Sequence, residues 1–368
     1  MANVLPDEKR LRVLAALVDG NSERAVERMT GINRETVGRL ALAFGQGATN
    51  LHNRLVRDLS CSLVQVDEIW SFVGKKQARV TAEDAPGVGE AYTFVALDTS
   101  SRLAISWHVG RRDEDSARTF MADVRARLVV MPAMTSDGFA PYIAAVGASF
   151  GPGVDYAQTV KNYTKRGRRE GPADHRYEPP RDPFITKKPV FGAPNLDRAS
   201  TAYIERQNCT MRHFIGRMRR LCLAFSKKLA NHRAAIALAY VHYNFCHVVS
   251  SLRVTPAMAA GITDHVWDLP ELLDALLAAA PCAPPEKQLL APRVPETTAR
   301  ELPNGRGFLR VVDGGKAKPS DAPRAPTPPA APPARVATGE PPREELPPRG
   351  TQLEFDWRPK PRQMDLFD

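Results

Sequence analysis

The 368-residue chain is poor in cysteine and has no apolar run long enough to span a bilayer. It also has no signal-peptide pattern at its start. Its five cysteines (Cys61, Cys209, Cys222, Cys246 and Cys282) are odd in number and widely spread. That argues against a disulfide framework and fits a reducing cytoplasm. No C-x-x-C pair occurs, so no zinc site is evident. Cys209 with His213, and His242 with Cys246, lie one helical turn apart, a spacing that packing residues share with ligands. Acidic residues are the minority charge, 41 against 51 lysines and arginines, for a net charge of +10. The excess points to a polyanionic partner, most simply nucleic acid, with an anionic membrane a weaker option.

What is present divides along the chain. Residues 8–45 read as a small helical unit, placed in a first domain over 1–50. Leu11, Leu14, Leu17 and Val18 give a helical stripe, Asn21 or Ser22 can cap a second helix, Gly31 marks a turn, and Asn33 can cap a third. The run GINRETVGR resembles the turn and recognition helix of a helix-turn-helix, which would present Arg34, Thr36 and Arg39 to DNA. Residues 63–160 predict three strands in succession, a helix opened by acids, a short strand ending near Asp137, a helix started by Pro141 and a further strand. With a long helix from about residue 201, that is the element order of a ribonuclease-H-like fold. The expected class is therefore α/β, with a ribonuclease-H-like core over 60–275, the helix-turn-helix-like unit before it and a disordered tail after it. Residues 164–200 hold Lys165, Arg166, Arg168, Arg169 and several prolines without apolar periodicity, and read as a basic surface insertion able to meet DNA. From 281 onward the sequence is crowded with proline, too poor in apolar residues to offset the entropy of ordering.

Three carboxylates stand in distinctive settings: Asp67 in VDEIWSFVGKK, Asp137 in TSDGFAPY and Glu205 in STAYIERQN. Acids from two strands and one helix can converge on a pair of Mg²⁺ or Mn²⁺ ions about 3.5–4 Å apart, the arrangement of two-metal phosphoryl transfer. Arg212 lies two turns beyond Glu205 on about the same face. No acid occurs between Arg206 and Lys228, a run that includes Arg217, Arg219 and Arg220 as candidate DNA contacts. Glu68 adjoins Asp67 but in a regular strand faces the other side of the sheet. Asp98 is a structural or auxiliary acid, and His108 and His242 are candidates for support of the site.

The segments VDEIWSFVGKK, FVALDTSSRLAISWHVGRRDEDSA, TSDGFAPY, YIERQN, AFSKKLANH and VHYNFCH, in that order over residues 60–273, resemble insertion-sequence-1 family transposases. The resemblance implies a DDE transposase that cleaves element ends and transfers the strand into target double-stranded DNA. It further implies Asp67, Asp137 and Glu205 as metal-binding catalytic acids with Arg212 as their basic partner, Asn208 as an orienting residue, a homo-oligomer on DNA and a bacterial, nucleoid-associated setting. Two features depart from the family pattern: there is no cysteine-containing zinc module before the core, and the basic insertion lengthens the path from Asp137 to Glu205. Another ribonuclease-H-like nuclease or recombinase, or a non-catalytic DNA-binding regulator, is the alternative.

The last residues, QMDLFD, differ from the proline-rich stretch before them. Gln363, Leu366 and Phe367 resemble the short peptide by which bacterial proteins dock on the replication sliding clamp: two apolar side chains for a pocket, an amide for its rim and a long tether for reach.

Overall fold

The computed structural model describes residues 5–162, 184–219 and 222–292. Lys165, Arg166, Arg168 and Arg169, Arg220, and the tail that includes Gln363, Leu366 and Phe367 lie outside the described residues.

Three helices come first: α1 (Asp7–Val18), α2 (Glu23–Thr30) and α3 (Arg34–Leu55). The expected signals place their ends. Ser22 Oγ accepts the Ala25 N–H at the start of α2, Gly31 ends it at φ 69°, and Asn33 accepts the Glu35 N–H to open α3. α3 runs well past the capped segment because other helices embrace its second half. At Gly45 a Cβ would sit 2.4 Å from Ala234 Cα, and at Gly47 one would sit 2.2 Å from the Leu276 carbonyl oxygen. Glycine here permits backbone-to-backbone approach that no larger residue allows.

Six strands form one mixed sheet: β1 (Leu63–Val73), β2 (Gly89–Asp98), β3 (Ala104–Gly110), β4 (Ala133–Asp137), β5 (Asp155–Asn162) and β6 (Phe184–Phe191). The order is β3-β2-β1-β4-β5-β6. β1 to β3 form an antiparallel meander, β4 and β5 run parallel to β1, and β6 returns antiparallel along β5. α4 (Glu114–Ala126), capped by Asp113, crosses from β3 to β4, and α5 (Pro141–Phe150) crosses from β4 to β5. α6 (Ala202–Phe214), α7 (Leu229–Phe245), the short α8 (Pro256–Ala259) and α9 (Leu269–Ala278) complete the described chain. The expected ribonuclease-H-like architecture is what the chain forms. No helix among the described residues is long and apolar enough to cross a membrane.

One element corrects the sequence reading. Residues 184–191, expected within a surface insertion, are a strand of the sheet. β6 is an edge strand with most of its side chains outside, so it shows no alternating burial. Lys187, Lys188 and Pro189 suit an edge, where charge and a missing donor deter further pairing.

Strand alternation divides the core. Val64, Val66, Phe94, Ala96 and Ile105 face one layer with α3, α4 and α5, while Ile69, Val73, Val95, Leu97 and Ala104 face the other with α6. α7 contributes to both layers, Val241 and Phe245 to one and Ile236 and Tyr240 to the other. It is buried nearly all round, which explains a helix with so little charge.

Candidate metal centre

β1 and β4 are parallel neighbours although two strands and a helix separate them in the chain, and the reversal of strand order at this point opens a crevice at their carboxyl ends. Their pairing stops at Val66 and Ser136. Asp67 and Asp137 are the next residues on each strand, and Gly138 then lets β4 turn away. Asp67, Glu68 and Asp137 each offer an oxygen within 4.8 Å of the other two.

Glu68 is therefore part of the cluster, contrary to its expected position on the far side. The alternation itself holds: Glu68 Oε2 accepts from the Tyr142 hydroxyl of α5 at 3.1 Å, on the α4–α5 side, while Asp67 Oδ2 accepts from Asn208 Nδ2 of α6 at 2.8 Å, on the opposite side. What the strand rule omits is the edge. Beyond Val66, β1 has no β4 partner, so side chains from both faces reach the same opening. The Glu68 side chain is 5% exposed and forms an ion pair with Arg112 Nε at 2.5 Å. The same guanidinium reaches Asp137 Oδ2 at 3.8 Å and lies over the Phe139 ring, 4.1 Å from its centroid. Asp137 Oδ1 accepts the Phe139 N–H, which fixes the carboxylate against its turn.

α6 brings Glu205 alongside. The two N–H groups of Tyr203 and Ile204, without partners inside the helix, both donate to Gln65 Oε1 at 3.0 Å. Gln65 lies two residues before Asp67 on the same face of β1, so the amide that caps α6 and the acid of the site share one strand. Asn208 ties the next turn of α6 to Asp67 itself. Glu205 stands outside the 4.8 Å cluster, with Oε1 accepting from Lys161 Nζ of β5 at 2.7 Å and from Thr201 Oγ1 at 2.5 Å. Its charge is still felt by both Asp67 and Asp137. Thr201, Glu205, Asn208 and Arg212 follow one another along one side of α6.

The electrostatics show what this arrangement lacks. Burial, then the charges of Glu68 and Asp137, push the Asp67 carboxyl up to about 7. Burial and Asp137 raise Glu68, and burial raises Asp137. Arg112 offsets part of this charge, and among the described residues no ion pair to Asp67 is seen. An all-oxygen, carboxylate-rich donor set with excess negative charge fits a hard divalent cation such as Mg²⁺ or Mn²⁺.

The other candidates are placed as follows. Arg34 and Arg39 are exposed on α3 and Thr36 is half-buried, with Arg39 donating to Thr36 Oγ1. Arg206 is exposed on α6. Arg217 is half-buried and joins Glu23 of α2 to Ser226. Arg219 donates to the Arg212 and His213 carbonyls at the end of α6, so its guanidinium caps that helix. Asp98 accepts from Ser100 and from Ser101, holding the β2–β3 turn away from the cluster. His108 and His242 pack against the rings of Phe94 and Phe214. Sequence reasoning passed over Gln65, Arg112, Tyr142 and Lys161. Of these, Arg112 lies inside the quoted run GRRDEDSA and Tyr142 ends the quoted run TSDGFAPY, and neither run marks the residue as part of the site.

Fold and site together define a ribonuclease-H-like α/β protein with a carboxylate cluster at the carboxyl ends of β1 and β4. No family model and no curated protein matches the chain. Among solved structures, one similar to it is a piggyBac transposase synaptic complex with hairpin DNA, at 12% identity and a TM-score of 0.34, covering 75% of this chain and 72% of that one. A likeness of that size transfers no residue role and no activity.

Proposed function

We propose that this chain is a DNA transposase of the DDE type, which cleaves at the ends of an insertion element and transfers the strand into double-stranded target DNA. The observation that carries the reading is the meeting of Asp67 and Asp137 at the β1–β4 opening, with Glu205 held beside them from α6. The ordered motifs that resemble insertion-sequence-1 family transposases support it from the sequence side, and the net charge of +10 supports a nucleic-acid substrate.

Asp67, Glu68 and Asp137 would hold divalent metal, with Glu205 completing the acidic set. Bound Mg²⁺ or Mn²⁺ supplies charge neutralisation of the phosphodiester and a more acidic water. The chain's own groups do the rest. Asn208 holds one oxygen of Asp67 and so fixes the direction of the other. Arg112, on its Phe139 platform, presents a guanidinium at the rim of the cluster where a phosphate would approach. Lys161 pairs with Glu205 and directs it between β5 and α6. Gln65 holds the first turn of α6 in register with β1.

The test is cleavage of DNA carrying the element ends. Asp67→Asn is expected to retain DNA binding and lose Mg²⁺-dependent cleavage, and unchanged cleavage would remove this site from consideration. Strand-transfer products separate a transposase from a nuclease or resolvase, which yields only nicks or resolved junctions. The proposed clamp docking by Gln363, Leu366 and Phe367 is tested separately, with a peptide of residues 351–368 and its Leu366→Ala and Phe367→Ala forms.

A further inference from the structure

A groove of about 670 Å³ lies between the first three helices, the segment after α6 and α7, away from the acidic cluster. Its rim carries Arg24, Arg34, Arg39, Arg217, Lys227 and Lys228 against the acids Glu23 and Glu35, and Glu23 is already paired with Arg217. Its floor is apolar, with Val18, Phe214, Ala235 and Leu238. On its wall stands Leu223, 94% exposed. A single exposed leucine is ordinary. This one differs in its setting: basic residues follow it, an apolar-floored groove lies beside it, and the chain that follows it is tied to β1.

That anchoring is specific. Phe225 stacks on Phe72 of β1 with ring centroids 4.9 Å apart. Ser226 bridges to Val73 and its carbonyl accepts the Gly74 N–H at 2.8 Å. His232 lies buried between Ser226 Oγ at 2.8 Å and Ser71 Oγ at 3.0 Å. Arg217 reaches from Ser226 Oγ to Glu23 of α2. A projecting apolar side chain on a rigid base can use binding energy to deform a soft partner instead of being deflected. β1 links this base to the acids: Val73 follows Asp67 by six residues, a rise of roughly 20 Å.

Building on the reading of this chain as a DNA-processing enzyme, we infer that the groove seats one DNA strand and that Leu223 is a wedge that unstacks a base there. The lysines and arginines of the rim neutralise the phosphates, and the apolar floor receives the displaced base. Charge complementarity selects a nucleic-acid strand, since a duplex stays stacked unless something apolar enters the step. The wedge lies at the end of β1 beyond Val73, so it acts several base steps from the phosphodiester at Asp67.

The test uses the full chain in EDTA, so that cleavage does not intervene, with duplexes drawn from the DNA flanking its gene and 2-aminopurine walked along each strand. Wild type is expected to brighten the probe at one position. Leu223→Ala is expected to lose at least half of that rise while still binding, and Leu223→Met to keep it. Lys227→Ala and Lys228→Ala are each expected to lower the slope of log affinity on log salt by about 0.7–0.9. Equal brightening by wild type and Leu223→Ala, or none at any position, would overturn the wedge. Mg²⁺-dependent cleavage and strand transfer without Leu223-dependent brightening would overturn the wedge alone. Leu223-dependent brightening with cleavage indifferent to Asp67→Asn would overturn the proposed active site alone.

Discussion

At the scale of single residues, the titrating groups report how the molecule distributes its charge. His232 is fully buried, with Ser71 Oγ on one ring nitrogen and Ser226 Oγ on the other. Ser71 spends its own hydroxyl hydrogen on the Ala91 carbonyl, so His232 Nε2–H donates to Ser71 and Nδ1 accepts from Ser226. A neutral imidazole satisfies both serines and a charged one does not. Burial, with Arg217 and Arg233 nearby, lowers its pKa to about 4. The folded state therefore binds fewer protons than the unfolded one between about pH 6.5 and 4. Stability present above that window is lost as pH falls through it, by about 3 kcal/mol at roughly 1.4 kcal/mol per pK unit. Denaturant titrations from pH 7 to 4 should show this slope, and His232→Gln should flatten it while lowering stability at pH 7.

At the scale of elements, α6 is the piece whose position matters most. Its apolar side, with Ile204, Met211 and Ile215, buries against the far layer of the core, but apolar contact alone does not set a helix to within a fraction of a turn. Two amides do. Gln65, 1% exposed, takes both Tyr203 and Ile204 N–H groups, and Asn208 takes Asp67. Losing the first contact leaves the buried Ile204 N–H unpaired, at about 1–3 kcal/mol, and the half-buried Tyr203 N–H beside it. Gln65→Leu should therefore destabilise the fold by a few kcal/mol and weaken Mg²⁺-dependent cleavage by more than it weakens DNA binding. Gln65→Glu, which retains the acceptor oxygens, should recover more of the stability than of the activity, because it adds another negative charge beside Asp67. Thermal melts beside cleavage and gel-shift assays separate the two effects.

At the scale of the whole molecule, the acidic cluster works against the fold, and a bound divalent cation would offset it. Asp67, raised to about 7, favours the folded state when protonated, so in metal-free protein its contribution weakens as pH rises from about 4 through 7. Two consequences are measurable at pH 8. Mg²⁺ at a hundred times its Kd should stabilise the protein by about 2.7 kcal/mol, a rise in Tm of about 5 °C. Asp67→Asn should do the opposite of a typical core substitution: it should raise the metal-free Tm and abolish the response to Mg²⁺. A variant that loses stability without metal, or still responds fully to it, would place the cation elsewhere.

The strands, the helix caps and the acids Asp67 and Asp137 were legible because their signals are local: alternation along β1, Ser22 and Asn33 at helix starts, Gly138 after an acid. β6 was not, because an edge strand buries too little to show a period. The sequence by itself therefore determined all the strands but β6, their order, the basic balance, and Asp67 and Asp137 as acids that meet. The tertiary structure alone decided which groups meet them. Glu68 entered because β1 outruns its partner β4, and Arg112 and Tyr142 because the loop after β3 and the start of α5 reach the same opening. Glu205 came alongside through Gln65 and Lys161, which no spacing to Asp137 reveals. Those contacts join residues far apart in the chain, and only the closing of the sheet and the docking of α6 fix their distances.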